Sequence, residues 1–328
     1  MYENLIANVP TDLYIGGKWK KSSDGGRFDV IDPATEKTIA SVASATVDDA
    51  KAALDAAQAA FPAWAAKKPR ERAEILRKAY EVIMRDLERF AKIITVENGK
   101  ALSDSRGEVA YAAEFFRWYA EEAVRNNGQV SMAPSSGARI FVQHKPAGIA
   151  VLVTPWNFPA AMATRKIGPA LAAGCPVILK PASDTPLTML ALMPALEEAG
   201  VPPGVVNVIP SRQSGKVVSA MLHDSRVRVV SFTGSTEVGR KLLHEAADNI
   251  IKPAMELGGN APFLVFEDAD IDAAIEGAMI AKMRNMGEAC TAANRFYVHE
   301  NVHDEFAKKL TAKMSGLKMG NGLDDGVM

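Results

Sequence analysis

Cysteine is scarce in this chain: 328 residues hold only Cys175 and Cys290. Two thiols do not make a disulfide framework, and a reducing compartment is their natural setting. An excess of either charge is also lacking. The formal net charge is −1, which leaves no electrostatic footprint for nucleic acid or a membrane surface. The basic run over residues 67–78 is interleaved with Glu71 and Glu74 at helical spacing, so it reads as a solvated helix face. No apolar run approaches the length of a bilayer span; the stretch over residues 169–179 is broken by Gly and Pro. The first eight residues lack a basic segment followed by an apolar core, so no secretory leader is expected. Internal repeats and low-complexity linkers are missing too. What remains is a cytoplasmic globular protein with a small-molecule partner, long enough for two domains.

What is present falls into three stretches. Residues 1–45 are short strand-like pieces with turn signals at Gly16-Gly17 and Asp24-Gly25-Gly26. Thr46-x-x-Asp49 opens an alanine-rich helix through Phe61. Apolar residues recurring every three or four positions from 69 to 97 predict one long amphipathic helix, stopped by Asn98-Gly99. Ser105-x-x-Glu108 predicts the opening of a further helix to about Arg125. Two extended runs, 129–133 and 139–144, bracket a turn and predict a projecting hairpin. From Gly148 onward short apolar strands alternate with helices: strands at 149–153, 176–180, 205–209, 227–232 and 251–257, with helices at 160–173, 187–199, 215–222 and from about Ser235. That alternation predicts an α/β fold with a doubly wound, Rossmann-like parallel sheet. After Gly258-Gly259 a smaller unit follows: strands at 263–266 and 295–298, helices at 270–285 and 302–315, then a turn-like stretch to Met328. Two strands and a helix pair make a poor core for a free-standing domain. The expected organisation is a discontinuous cofactor-binding domain (1–125 and 146–257), a projecting hairpin (126–145) and a catalytic domain (258–328) expected to be incomplete.

The segment Met283-Arg-Asn-Met-Gly-Glu-Ala-Cys290-Thr-Ala-Ala-Asn-Arg295 holds a cysteine among small residues, between a helical pattern and a strand-like run. Small neighbours let a substrate approach, and flanking elements hold the sulfur still. A buried, inert cysteine is the competing reading of the same residues. Gly234-Ser-Thr-Glu-Val-Gly239 follows a strand and opens a helix, where glycine lets the backbone approach phosphate and the helix start favours negative charge. It is neither G-x-G-x-x-G nor a Walker loop, so by itself it is weak evidence.

Five motifs stand in register: Pro155-Trp-Asn-Phe-Pro159, Leu179-Lys-Pro-Ala-Ser183, Ser231-Phe-Thr-Gly-Ser-Thr-Glu-Val-Gly239, Glu256-Leu-Gly-Gly-Asn260 and Gly287-Glu-Ala-Cys290. On these the chain resembles the aldehyde dehydrogenase superfamily, most closely its succinate-semialdehyde dehydrogenases, from about Leu13 to the last residue. The resemblance implies oxidation of an aldehyde to the acid with NADP or NAD. It implies Cys290 as nucleophile, Asn157 and the Cys290 backbone N–H as oxyanion donors, and Glu256 as the base that hydrolyses a thioester. Glu256, at the end of an apolar strand, is expected to be buried. Trp156, Lys180, Ser183, Gly234, Ser235 and Gly239 correspond to cofactor-contacting positions. Ser183 stands where strict NAD enzymes often carry glutamate, which predicts acceptance of NADP. Arg165 and Arg284 match a carboxylate clamp, pointing to a short ω-oxo acid. The family hairpin implies a homodimer or homotetramer.

The sequence departs from the pattern in two places. A second cysteine two residues after the nucleophile, present in some relatives as a redox switch, is replaced by Ala292. The family's downstream Glu-x-Phe-Gly-Pro segment does not occur. The alternatives are a truncated nucleotide-binding chain without turnover, or a CoA-acylating enzyme; Glu256 argues against the second. His299-Glu300-Asn-Val-His303 also matches a zinc-peptidase pattern. That chemistry needs both imidazoles on one helix face. The strand-like run before His299 and an expected helix N-cap at Asn301 argue against it, and no metal is expected.

Overall fold

A computed structural model describes residues 3–328; Met1 and Tyr2, at the start of the expected 1–125 segment, lie outside the described residues. The chain opens with α1 (Glu3–Ala7), β1 (Leu13–Ile15), β2 (Lys18–Lys20), β3 (Arg27–Asp32) and β4 (Lys37–Ala43). Four helices follow: α2 (Val47–Ala66), α3 (Pro69–Arg85), α4 (Leu87–Asn98) and α5 (Leu102–Ala123). The hairpin is β5 (Gln129–Met132) and β6 (Arg139–Val142), antiparallel and exposed at every position.

Then come β7 (Ile149–Val153), α6 (Ala161–Ala173), β8 (Val177–Lys180), α7 (Leu187–Ala199), β9 (Val206–Val208), α8 (Ser214–Leu222), β10 (Val227–Gly234), α9 (Thr236–Asp248) and β11 (Lys252–Leu257). One seven-stranded sheet runs in the order β11-β10-β7-β8-β9-β1-β2. Its first five strands are parallel, and β1 and β2 extend it antiparallel at the far edge. The chain winds outward from β7 through β8 and β9, then returns to the other side of β7 as β10. The order therefore reverses between β7 and β10.

Both sheet faces are covered, so β7 and β8 are apolar at nearly every residue. Ala150 and Leu152 of β7, with Val177 and Leu179 of β8, face a core built with α3 to α7. Ile149, Val151, Val153 and Ile178 face a second core with α2, α8 and α9. Each fully buried Leu, Ile or Val contributes about 1.5–3 kcal/mol, which makes these two layers the main source of stability.

A smaller unit follows: β12 (Ala261–Val265), α10 (Ile271–Met283), β13 (Ala293–Val298) and α11 (Glu300–Ser315). Its two strands pair in parallel, and Val265, Ile275 and Phe306 centre a separate small core. Leu264, Phe266 and Tyr297 remain exposed on the sheet's other face. Beyond α11 the chain returns to the α4–α5 junction, where Leu102 N–H donates to the Gly322 carbonyl at 2.9 Å.

Several sequence expectations change. The Thr46–Asp49 capping box forms, but the helix runs past Phe61 to Ala66, because Trp64 is buried in the core and Pro62 is tolerated inside. The expected helix over 69–97 is two helices with a kink at Asp86 (φ −101°, ψ 19°). The apolar spacing continues across the kink, so periodicity does not reveal it. Ser105 and Glu108 do not open α5: both are buried inside it, with Ser105 bonded to Thr95 and Glu108 to Lys100. Within the basic run Arg72 is buried, donating to the Ala172 carbonyl at 3.0 Å. The helix expected over 270–285 stops at Met283. The last helix is capped by His299 rather than Asn301: His299 Nδ1 accepts from Asn301 N–H.

Candidate active site

The segment after α10 departs from the helix sharply. Asn285, Met286 and Gly287 take φ of 54°, 57° and 82°. Left-handed conformation at two successive non-glycine residues is costly and persists only where surroundings impose it. Asn285 is buried, and Ala292 and Ala293 anchor the far end of the loop. Between these anchors Cys290 is exposed, whereas Cys175 is buried. The accessible thiol is thus the one in the motif, and the inert-core reading applies to Cys175.

Asn157 follows β7 and meets this loop directly. Its Nδ2 donates to the Glu288 carbonyl at 2.7 Å, two residues before the thiol. An amide has two N–H groups, so one remains available to a developing oxyanion. The Oδ1 of Asn157 and an oxygen of Glu288 are buried without a hydrogen-bond partner among the described residues. Unpaired buried polar atoms call for an explanation, and a reactive centre is one.

Glu256 lies on β11, followed by a backbone that passes the loop: a methyl group on Gly259 would sit 3.5 Å from the Cys290 carbonyl. The expectation that Glu256 is buried is not met. β11 is the edge strand, and the Glu256 side chain is 54% exposed, facing Arg165 at 3.8 Å. An exposed pair of this kind contributes little stability. Lys166, next to Arg165 on α6, is buried and donates to Ser231 Oγ at 2.9 Å. Burial pushes its ammonium down to about 8, while the charge of Glu256 opposes that shift. Sequence reading passed over Lys166, although its place beside Arg165 was a signal.

Arg165 and Arg284 come to one row of aromatics. Tyr111 and Phe115, one helical turn apart on α5, have ring centroids 4.8 Å apart. Arg165 lies over Phe115 at 5.9 Å, and Arg284 over Tyr111 at 5.8 Å and Phe158 at 5.9 Å. A cavity of about 140 Å³ opens there between Asp104, Tyr111, Phe158 and Arg284.

The positions matched to a dinucleotide gather at the carboxyl ends of the parallel strands, around the reversal between β7 and β10. That is where open α/β sheets bind ligands. Gly234 ends β10, and Ser235 caps α9, accepting from Val238 N–H at 3.3 Å. A side chain on Gly239 would strike Leu257, so glycine allows the close approach of α9 to β11. Lys180 ends β8; burial lowers its ammonium to about 8, with Asp184 opposing. Ser183 Oγ donates to the Ser211 carbonyl at 2.9 Å, and Trp156 is partly exposed at the rim. A helix N-terminus with free backbone donors, a buried cation and an exposed indole fit a dinucleotide.

Sequence reading also missed a buried ion pair beneath the site. Lys100 and Glu108 lie 2.7 Å apart with both side chains fully buried. Asp104 and Glu108 share a face of α5, but Lys100 precedes that helix, so helical spacing gave no signal for the pair. His299 and His303 do not share a helix interior: His299 is the cap of α11, and His303 bonds Asp304.

The profile described as "Aldehyde dehydrogenase family" matches residues 19–328. The chain is 55% identical to succinate-semialdehyde dehydrogenase of Paenarthrobacter nicotinovorans over 87% of this chain and 64% of that protein. It is 47% identical to the NADP(+) succinate-semialdehyde dehydrogenase GabD of Escherichia coli over 95% of this chain and 65% of that one. A crystal structure of an aldehyde dehydrogenase from Brucella melitensis superposes with a TM-score of 0.95 at 47% identity, covering 97% of this chain and 66% of that one. The chain thus spans somewhat less than two thirds of its relatives' length. Motifs, sheet order and the matched profile agree: this chain belongs to the aldehyde dehydrogenase family.

Proposed function

We propose that this chain carries the nucleophile and cofactor site of an NAD(P)-dependent dehydrogenase. Its substrate is a short ω-oxo acid such as succinate semialdehyde, and its product the dicarboxylic acid. The observation that carries this reading is the exposed Cys290 thiol in a loop hydrogen-bonded to the Asn157 amide. The Cys290 thiolate adds to the aldehyde carbon, forming a C–S bond as the carbonyl electron pair moves to oxygen. The free N–H of Asn157 and the Cys290 backbone N–H hold that oxyanion. Lys180, Ser183, Gly234, Ser235, Gly239 and Trp156 would hold a nicotinamide dinucleotide, which would supply the hydride acceptor needed to oxidise the thiohemiacetal to a thioester. Glu256 takes a proton from water, the hydroxide adds to the thioester carbon, and the C–S bond breaks to return the thiolate. Arg165 and Arg284 hold the distal carboxylate.

This reading also places the protein in the cytoplasm, consistent with two unpaired thiols. Residues 1–125 and 146–257 act as the cofactor-binding unit and 258–328 as the nucleophile-bearing unit. The exposed apolar hairpin over 126–145 mediates a homodimer or homotetramer. No helix among the described residues is long and apolar enough to cross a membrane. The test is NADPH formation from NADP and succinate semialdehyde by the 328-residue chain. Turnover is expected, with loss by more than about a thousandfold in Cys290→Ala. Absence of turnover, or a Cys290→Ala variant as active as the parent, would overturn the proposal.

A further inference from the structure

Lysine is almost never fully buried unless paired, yet Lys100 is wholly enclosed at the junction of three segments. An ammonium has three N–H groups, and each of these finds an acceptor on a different segment. One goes to Glu108 Oε2 on α5 at 2.7 Å, one to the Asn157 carbonyl at 2.7 Å, and one to Asn285 Oδ1 in the left-handed turn. Asn285 Nδ2 donates in turn to the same Asn157 carbonyl at 2.9 Å. The second oxygen of Glu108 accepts from Ala160 N–H at 2.8 Å and Ala161 N–H at 3.2 Å, at the start of the helix that carries Arg165 and Lys166. Asp104, one turn before Glu108 on α5, lines one cavity with Asn285; burial raises its carboxyl, while the charge of Lys100 and the backbone N–H groups of Asn285 and Met286 oppose that rise. Asn285 and Met286 are the two non-glycine residues of the turn held at positive φ. The Lys100 ammonium also lies 4.5 Å from the centre of the Phe158 ring.

We propose that Lys100, Asp104 and Glu108 are positioning residues that impose the left-handed turn at Asn285–Met286 and so fix the Cys290 loop against the Asn157 amide. The assignment of Cys290 and Asn157 rests on the proposed function; the clamp itself does not. A buried ion pair is an uneconomical way to gain stability, since apolar side chains of the same volume often do as well or better. What it supplies is directionality: donors and acceptors that tolerate only one arrangement of the turn. Without them, Asn285 and Met286 relax toward ordinary φ, the Glu288 carbonyl leaves Asn157 Nδ2, and the thiol loses its register with the oxyanion donor.

The test is hydrogen exchange read by mass spectrometry on the 328-residue chain without substrate. Lys100→Met with Glu108→Gln removes both charges together, so no unpaired charge is left buried. Amides of residues 285–289 should exchange at least about tenfold faster than in the parent, while those of β7 and β8 keep their protection. Unchanged exchange at 285–289, or an equal acceleration throughout the sheet, would overturn the proposal. Asp104→Ala, at a half-buried position, gives an independent reading if the double variant fails to fold. It should loosen the same amides, and parental exchange there would overturn the proposal as well. Where the parent turns over, both variants should lower kcat while leaving KM for NADP unchanged. Where it does not, the exchange result still decides the clamp.

Discussion

At the scale of single residues, the site depends on a few polar groups that each serve several segments. Lys100 is the extreme case, because its removal strands Glu108 in the core. Lys100→Met alone should therefore destabilise the chain by about 3–5 kcal/mol, measured by urea unfolding. Adding Glu108→Gln should restore much of that loss, and equal stabilities of the single variant and the parent would refute the account of this pair. Ser183 tests cofactor choice. It stands beside the carboxyl end of β8, and a carboxylate there would accept from a ribose 2′-hydroxyl and repel a 2′-phosphate. Ser183→Glu should lower the ratio of kcat/KM for NADP over NAD by at least tenfold, about 1.4 kcal/mol; an unchanged ratio would contradict it. The arginines test the substrate class. Arg165→Leu with Arg284→Leu should raise KM for succinate semialdehyde by tenfold or more, about 1.4 kcal/mol of binding, and spare butanal. Equal losses for both aldehydes would rule out a carboxylate clamp.

Between elements, buried carboxylates join helices that sequence patterns treat separately. Glu97, in the last turn of α4, accepts from Leu187 and Thr188 N–H at 2.7 and 2.9 Å at the start of α7. Burial nevertheless pushes its carboxyl up to about 8, against the lowering effect of those donors. A folded-state value above the unfolded one means that the native state holds the extra proton between them. Stability should then fall as pH rises from about 4.5 to about 8. The melting temperature of Glu97→Gln relative to the parent should therefore climb from pH 5 to pH 8, and a constant difference would contradict the linkage. Elements of this kind show what sequence alone reveals. The strand at 149–153 was legible because both faces are covered and the run is continuously apolar. The kink at Asp86 was not, because the apolar spacing passes through it. Ser105-x-x-Glu108 imitated a cap because the same residue types serve as buried partners of Thr95 and Lys100.

For the whole molecule, the site is an assembly of loops from two hydrophobic units, and its parts were legible to different degrees. Motifs in register pointed to Asn157, Glu256 and Cys290 as candidates. Their spatial relation was hidden, since it depends on Lys100 and Asn285, which are far apart in sequence. The exposure of Glu256 was hidden too, because a strand's apolar pattern does not say that it lies at a sheet edge. The hairpin β5–β6 exposes Val130, Met132 and Phe141 on one face. Patches of this sort mark interaction surfaces. Phe141→Asp should shift the chain toward monomer in sedimentation, and an unchanged sedimentation coefficient would remove the hairpin from the assembly. The central claim is that Cys290 is acylated and Glu256 releases the acid. It is tested most directly by mixing Glu256→Gln with NADP and succinate semialdehyde and mapping the acyl group by mass spectrometry. The account predicts one burst of NADPH and a succinyl thioester that accumulates on the Cys290 peptide. A burst without acylation of Cys290, or steady hydrolysis at the parental rate, would contradict it.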